Sequence, residues 1–456
     1  MNTYKKVLPL AVAMALAACG GGSDTVPDQS EGATILGTYP KFNPVTSDLP
    51  LNTDLIFADA STSDGTANVG VPGNAIEAAV NSLDGFSVTA YFDIAFAGGS
   101  IDPDSICTPV QAAMGAMCQP NVFLIPLDTS GGDGDALNPD NIVGVDMAAL
   151  ATTAYTVSTA SVGGTDNVLR ITPATPLMAK SKYLVFVTDG LLNAQGDPVG
   201  GSASYRLMGA DTPDVPASLA PVRGAVQGWE TIAGGVLFAN GLAADPVSAK
   251  DSVVISYTFT TTDPLTPLVA MAAPRAAVTQ AQIDAGQDPM VAAGNAADLE
   301  TSGLLSTPKA RFVDVNVATG LDFSTLTQGA LAADAGKLYT GAIELPYYLK
   351  APASASDLSF LQTSWAADQV LGSVLGGGVP PMDVDGSFNV TYRYPFAARM
   401  GNETVPLQVT LPNPASQPAE LGGATCANVR DSSGYPTVIY VHGITSDRTS
   451  VMALGH

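Results

Sequence analysis

The spacing of chain-breaking residues constrains this fold more than any other feature. The 456 residues include 46 glycines and 33 prolines. Between residues 40 and 207 these, together with Asn and Asp, cut the apolar residues into short runs. Residues 87–96 alternate in part, and residues 121–127, 168–172 and 183–188 are brief stretches rich in β-branched and aromatic side chains. Runs of that length between turn residues predict antiparallel strands, and strands at that spacing predict a β-sandwich. The chain is 46% hydrophobic but only 13% charged, so it has material for large cores. Its length predicts two or three domains.

The first residues have a different texture. Lys5 and Lys6 precede an apolar stretch, residues 7–18, interrupted only by Pro9. That stretch has the length of a signal-peptide core and is short of the roughly 20 residues a membrane-spanning helix needs. It ends in Leu16, Ala17, Ala18 and Cys19. Small residues before a cysteine suit a lipoprotein signal peptidase, and the thiol of Cys19 is the atom that takes the diacylglycerol. Residues 1–18 are therefore expected to be a signal peptide, and residues 19–33 a lipidated flexible tether that begins Gly20, Gly21, Gly22. Gly rather than Asp at position 20 resembles the outer-membrane address of bacterial lipoproteins, so the expected location is the outer membrane.

Charge and cysteines agree with export. The formal net charge is -24, which argues against nucleic acid, a ligand bound through Lys and Arg. Two histidines in the whole chain rule out a histidine-rich metal site. Cys107 and Cys118 share one loop-like stretch. In an oxidising compartment the first expectation is a local disulfide, with two free thiols as the other reading; zinc lacks neighbouring histidines. Cys426 is either free or paired with a residue outside these 456. The acidic residues 133–140 invite a calcium ion but lack the EF-hand ligand spacing and its closing Glu, and fit a solvated loop better. No metal and no cofactor is expected.

Residues 34–210 are expected to form the sandwich, and 175–190 with 196–199 resemble the closing strands of bacterial immunoglobulin-like modules. Residues 211–400 mix signals. Leu219, Val222, Val226, Trp229 and Ile232 recur at helical spacing within 215–245, which predicts a helix packed on a core. Residues 253–261 are rich in β-branched side chains and predict a strand. Residues 265–335 are Ala-rich and give no clear pattern. Residues 340–349 and 388–395 are strand-like.

From residue 401 the character changes again. Residues 404–412 predict a strand, and after a turn-rich insert the apolar residues 435–441 run directly into His442, Gly443 and Ile444. A buried strand entering His-Gly-Ile resembles the α/β-hydrolase fold, in which the loop after the third strand donates one backbone N–H to the oxyanion hole. Acyl transfer builds negative charge on a carbonyl oxygen, and fixed N–H dipoles stabilise it. Gly443 has no Cβ and permits a sharp turn. Ile444 is expected to supply the N–H and His442 to brace the loop, with Thr445 or Ser446 capping a helix that starts near Arg448.

At these residues the chain resembles the bacterial virulence-factor lipases, extracellular lipases and lysophospholipases, many of them lipoproteins. The resemblance is carried by residues 43–57 with 64–66, 83–87 and 99–103, by residues 339–349, and by residues 435–449, where His442, Gly443, Ile444, Thr445 and Arg448 stand in register. It implies a β-rich N-terminal region followed by a serine-hydrolase domain acting on lipid esters, so residues 401–456 are expected to be the truncated start of an α/β-hydrolase domain. The family's Gly-x-Ser-x-Gly nucleophile elbow is absent from these residues. The expected function is thus that of the N-terminal part of a membrane-anchored lipase or esterase, inactive as it stands. Its partners are a lipid ester substrate and, through the lipid on Cys19, a membrane. The rival expectation is a non-catalytic surface lipoprotein whose immunoglobulin-like module binds a partner.

Overall fold

The structure is a computed structural model of the chain. It describes residues 37–57, 65–68, 73–130, 142–162, 165–305, 311–315, 321–330, 336–354, 356–359, 363–375 and 386–443. The chain divides into two units: Met1–Leu268 with Gly372–Phe396, and Val269–Leu371 with Ala397–His456.

The first unit holds β1 (Tyr39–Pro40), β2 (Phe92–Ala97), β3 (Val122–Thr129), β4 (Ile142–Val145), β5 (Tyr155–Val162), β6 (Thr165–Pro173), β7 (Lys182–Thr188) and β8 (Val253–Thr260). They pair antiparallel into two sheets, ordered β1-β2-β6-β5 and β4-β3-β7-β8. The sheets differ in burial. Along β2 every second residue is buried, whereas β7 and β8 are buried at every position. A strand alternates its side chains between two faces, so continuous burial requires cover on both.

Both covers are visible. On one face, Tyr183 of β7 stacks on Phe259 of β8, and Phe259 meets Phe92 of β2 with ring centroids 5.0 Å apart. The Tyr155 hydroxyl of β5 also crosses between the sheets, donating to the Val122 carbonyl at 2.9 Å and accepting from the Leu124 N–H at 3.2 Å. On the other face, Ser256 pairs across the ladder with Phe186, and Phe186 with Phe123, whose ring stacks on it at 4.3 Å. There the hydroxyl of Tyr205, from the short helix Ala203–Gly209, lies 2.8 Å from that of Ser256. Helix α1 (Ala220–Ala239) forms the same outer layer, with Val222, Val226 and Trp229 buried in the common core. At Gly234 the helix runs against α2 (Pro246–Asp251): a Cβ there would stand 2.9 Å from the Pro246 carbonyl oxygen.

The architecture is therefore sheet, sheet and helix, a mixed α/β arrangement. Residues 34–210 do supply two antiparallel sheets, but the core is completed by α1 and β8. The boundary expected at residue 210 falls inside this unit, because β3 and β7 are apolar on both faces and one face would otherwise meet water. Two strands differ in extent from the sequence pattern. The strand expected from residue 87 begins only at Phe92, since the Ser87 hydroxyl accepts from the N–H groups of Thr89 and Ala90 and makes a turn. Residues 388–395 form no strand: the Thr391 N–H bonds the Tyr394 carbonyl and the Tyr394 N–H bonds the Thr391 hydroxyl, folding the segment on itself.

The second unit contains α3 (Pro274–Asp284) and α4 (Pro289–Thr301). Asp288 caps α4 through the N–H groups of Met290 and Val291, and Arg275 lies 3.6 Å from Glu300 across the pair. Its sheet has β9 (Arg311–Val315), β10 (Leu321–Asp322), β11 (Lys337–Tyr347) and β12 (Gly401–Leu411). The β11–β12 ladder is antiparallel and unbroken from Lys337 opposite Leu411 to Tyr347 opposite Gly401, and β9 and β10 also pair with β11.

Candidate functional site

The C-terminal residues follow β12. Helix α5 (Cys426–Ser433) opens with a capping box between Thr425 and Asn428 and ends at Gly434, whose φ of 75° suits a residue without a Cβ. Cys426 is buried at its first turn as a free thiol. Residues 435–443 then run without regular secondary structure. Val438, Ile439 and Val441 are 81%, 87% and 84% exposed. The buried strand expected at 435–441 is thus not formed. A fully buried strand is made by its neighbours, and among the described residues no strand of this unit pairs with these.

His442 and Gly443 are exposed, with the His442 Nδ1 3.0 Å from the Gly443 carbonyl oxygen. A Cβ on Gly443 would meet nothing within 4 Å, so close packing does not demand glycine there. Ile444, Thr445, Ser446 and Arg448 lie outside the described residues, as do Cys19 and the acidic residues 133–140. Cys107 and Cys118 form a disulfide with Cα atoms 6.0 Å apart. Among the described residues no three His, Cys, Asp or Glu side chains gather to hold a metal ion, and no helix is long and apolar enough to cross a membrane.

The polar chemistry of the described residues lies instead in two buried clusters of the first unit, which sequence reasoning did not single out. In one, Lys182 at the start of β7 is buried and pairs with the buried Asp54 at 2.5 Å. Asp84 accepts from the Thr262 hydroxyl and, at 2.8 Å, from the Tyr392 N–H. Burial pushes the Asp84 carboxyl above its ordinary value, opposed by those hydrogen bonds. Lys180 pairs with Asp263 at 3.2 Å and lies 5.8 Å from the centre of the Tyr392 ring. Arg393 runs close over Gly65, where a Cβ would stand 2.9 Å from its Cδ. These groups tie residues 391–393 to the body of the unit.

In the second cluster Glu230 of α1 lies 3.3 Å from Lys250 of α2, beside the Tyr205–Ser256 pair. Burial raises the Glu230 carboxyl, against the pull of the Lys250 charge, and raises the Tyr205 hydroxyl well above its ordinary value. Ser256 is wholly buried, so its hydroxyl cannot meet a substrate. Both clusters hold elements together and neither presents a nucleophile to solvent. Asp54 and Asp84 do fall within the stretches that carried the family resemblance. Their residue types gave no further signal, because their partners lie 128, 178 and 308 residues away.

Comparison with known proteins bears on this same unit. No curated protein and no solved structure matches the chain. Residues 136–291 match the family model described as bacterial virulence factor lipase N-terminal. The matched stretch runs from before β4 through β8, α1 and α3, and so takes in the second sheet's central strand β7 and its helical cover. Over this stretch the chain is similar to the N-terminal region of bacterial virulence factor lipases.

Proposed function

We propose that this chain is the N-terminal part of a surface lipase or esterase, held to the outer membrane by a lipid on Cys19 and cleaving carboxylic esters of lipids through a serine nucleophile. The match over residues 136–291 to a lipase N-terminal family carries this reading. In it, the first unit is a β-rich module of immunoglobulin-like ancestry with an added helical layer. Residues 401–456 begin an α/β-hydrolase domain. The N–H of Ile444 donates to the oxyanion, on a loop turned at Gly443 and braced by His442. The acidic surface, with a net charge of -24, fits a partner other than nucleic acid.

The test uses the protein made from its own gene in its own cells. A serine-directed fluorophosphonate probe is expected to label it, whereas the 456 residues alone, which have no Gly-x-Ser-x-Gly, are expected to stay unlabelled. Labelled fatty acid is expected on the parent and lost with Cys19→Ser. In the labelled enzyme Ile444→Pro removes one N–H donor, and kcat is expected to fall by about 10²-fold or more. Unchanged turnover overturns the oxyanion role of Ile444. A cellular protein that never labels supports the second reading, a non-catalytic surface lipoprotein with a binding module. The observation favouring that reading is the open, exposed surroundings of His442 and Gly443.

A further inference from the structure

The loop closed by Cys107 and Cys118 is built rigidly and presents apolar side chains that the fold does not use. Its base is fixed at the start of β3. The Cys107 N–H bonds the Asn121 Oδ1 at 2.9 Å, the Asn121 N–H bonds the Cys107 carbonyl at 2.9 Å, and the Asn121 amide donates to the Ser105 and Gly190 carbonyls. Thr108 and Gln111 form a reciprocal capping box on the short helix Pro109–Ala113. The disulfide and these hydrogen bonds order the loop without help from its tip.

At that tip Met117 is fully exposed and Met114 is 77% exposed, with Ala113, Gly115 and Ala116 exposed between and beside them. From residue 105 to residue 127 there is no charged side chain, in a chain whose net charge is -24. The tip is too small for a stable protein interface, which takes about 20–30 residues a side. Residues 113–117 also carry no polar side chain to specify a partner. Methionine is long, flexible and apolar, and adapts to an irregular apolar surrounding. An uncharged tip is also the part of so acidic a molecule that can approach a lipid surface without repulsion, most readily where the headgroups carry no net charge.

We propose that the loop of residues 107–118 is a lipid-contact element that seats Met114 and Met117 in the headgroup–acyl boundary of a zwitterionic bilayer. The proposal deepens the lipase reading and takes from it only the choice of a lipid surface. The experiment uses the mature chain from residue 19 carrying Cys19→Ser, so that no attached lipid contributes, and measures co-sedimentation with phosphatidylcholine vesicles. The chain is expected to bind. Met114→Asp with Met117→Asp is expected to weaken binding by roughly 10- to 100-fold, from the loss of two apolar insertions. Thermal midpoint and near-ultraviolet circular dichroism should be unchanged, since both side chains are exposed. Vesicles enriched in phosphatidylglycerol are expected to bind the parent more weakly. Equal binding by parent and double variant overturns the proposal, as does a parent that does not bind. So does self-association that the double variant abolishes, which would assign the tip to a second copy. None of these outcomes touches fluorophosphonate labelling of the cellular protein, so failure here and failure of the lipase reading are told apart.

Discussion

Lys182 and Asp54 show what a buried charge asks of its surroundings. Each is taken out of water, and each is tolerated because the other is in contact. Removing one partner leaves the other charge buried alone. Lys182→Met is therefore expected to cost about 3–5 kcal/mol, measured by urea unfolding, while Lys182→Met combined with Asp54→Leu should recover much of that loss. Glu230 makes a prediction about pH. Its folded pKa is raised above the ordinary 4.5 by burial. Between the two values the folded chain keeps a proton that the unfolded chain releases, so stability falls as pH rises. The contribution is fully present below the unfolded value and is lost as pH climbs through the folded one. Asp84, also raised by burial, acts with the same sign. Between about pH 4 and neutrality the urea midpoint of the parent should therefore decline relative to that of Glu230→Gln as pH rises.

At the scale of elements, the Tyr155 hydroxyl bonds β3 from the opposite sheet through both a donated and an accepted hydrogen bond. Tyr155→Phe keeps the ring but strands the Val122 carbonyl and the Leu124 N–H. The expected loss is about 1–3 kcal/mol by denaturant unfolding, and faster exchange of the Leu124 amide should locate it. What the sequence revealed about elements follows from contrast between faces. β7 and β8 announce themselves as unbroken apolar and β-branched runs because they are covered on both sides, and α1 does so through the stripe from Val222 to Trp229. Helices α3 and α4 stayed hidden because alanine does not mark a face: Ala276 and Ala281 of α3 are exposed while Ala292 and Ala296 of α4 are buried, and Gln282 of α3 is buried while Met290 and Val291 of α4 are exposed. Residues 435–441 mislead in the opposite direction. Their composition fits a buried strand, but pairing partners make a strand, and the described residues supply none.

For the whole molecule, the second unit interrupts the first, and the chain comes back at Gly372–Phe396. This return was invisible in the sequence because its anchors are distant from it in the chain; among them, Asp84 holds the Thr262 hydroxyl from 178 residues away and the Tyr392 N–H from 308 residues away. The same distance explains why the candidate site was only partly legible. His442, Gly443 and Ile444 could be read as a local motif, whereas the polar groups that tie the returning segment down could be seen only once the chain was folded. A double-mutant cycle tests whether Asp84 serves that return. The two changes are Asp84→Ala and shortening the chain to residues 37–268, which removes Tyr392 and Arg393 together with the second unit. If the carboxylate acts mainly on the returning segment, Asp84→Ala should cost about 1–3 kcal/mol in the complete chain. In the shortened chain it should cost little or become stabilising, because the buried carboxylate has then lost its Tyr392 N–H and keeps only Thr262 against the cost of burial. The coupling, read from the first unit's urea transition, should be on the order of 1–2 kcal/mol. Equal costs in both backgrounds would assign Asp84 to Thr262 and the end of β8 alone, and leave the returning segment held by Lys180, Arg393 and the Tyr392 ring.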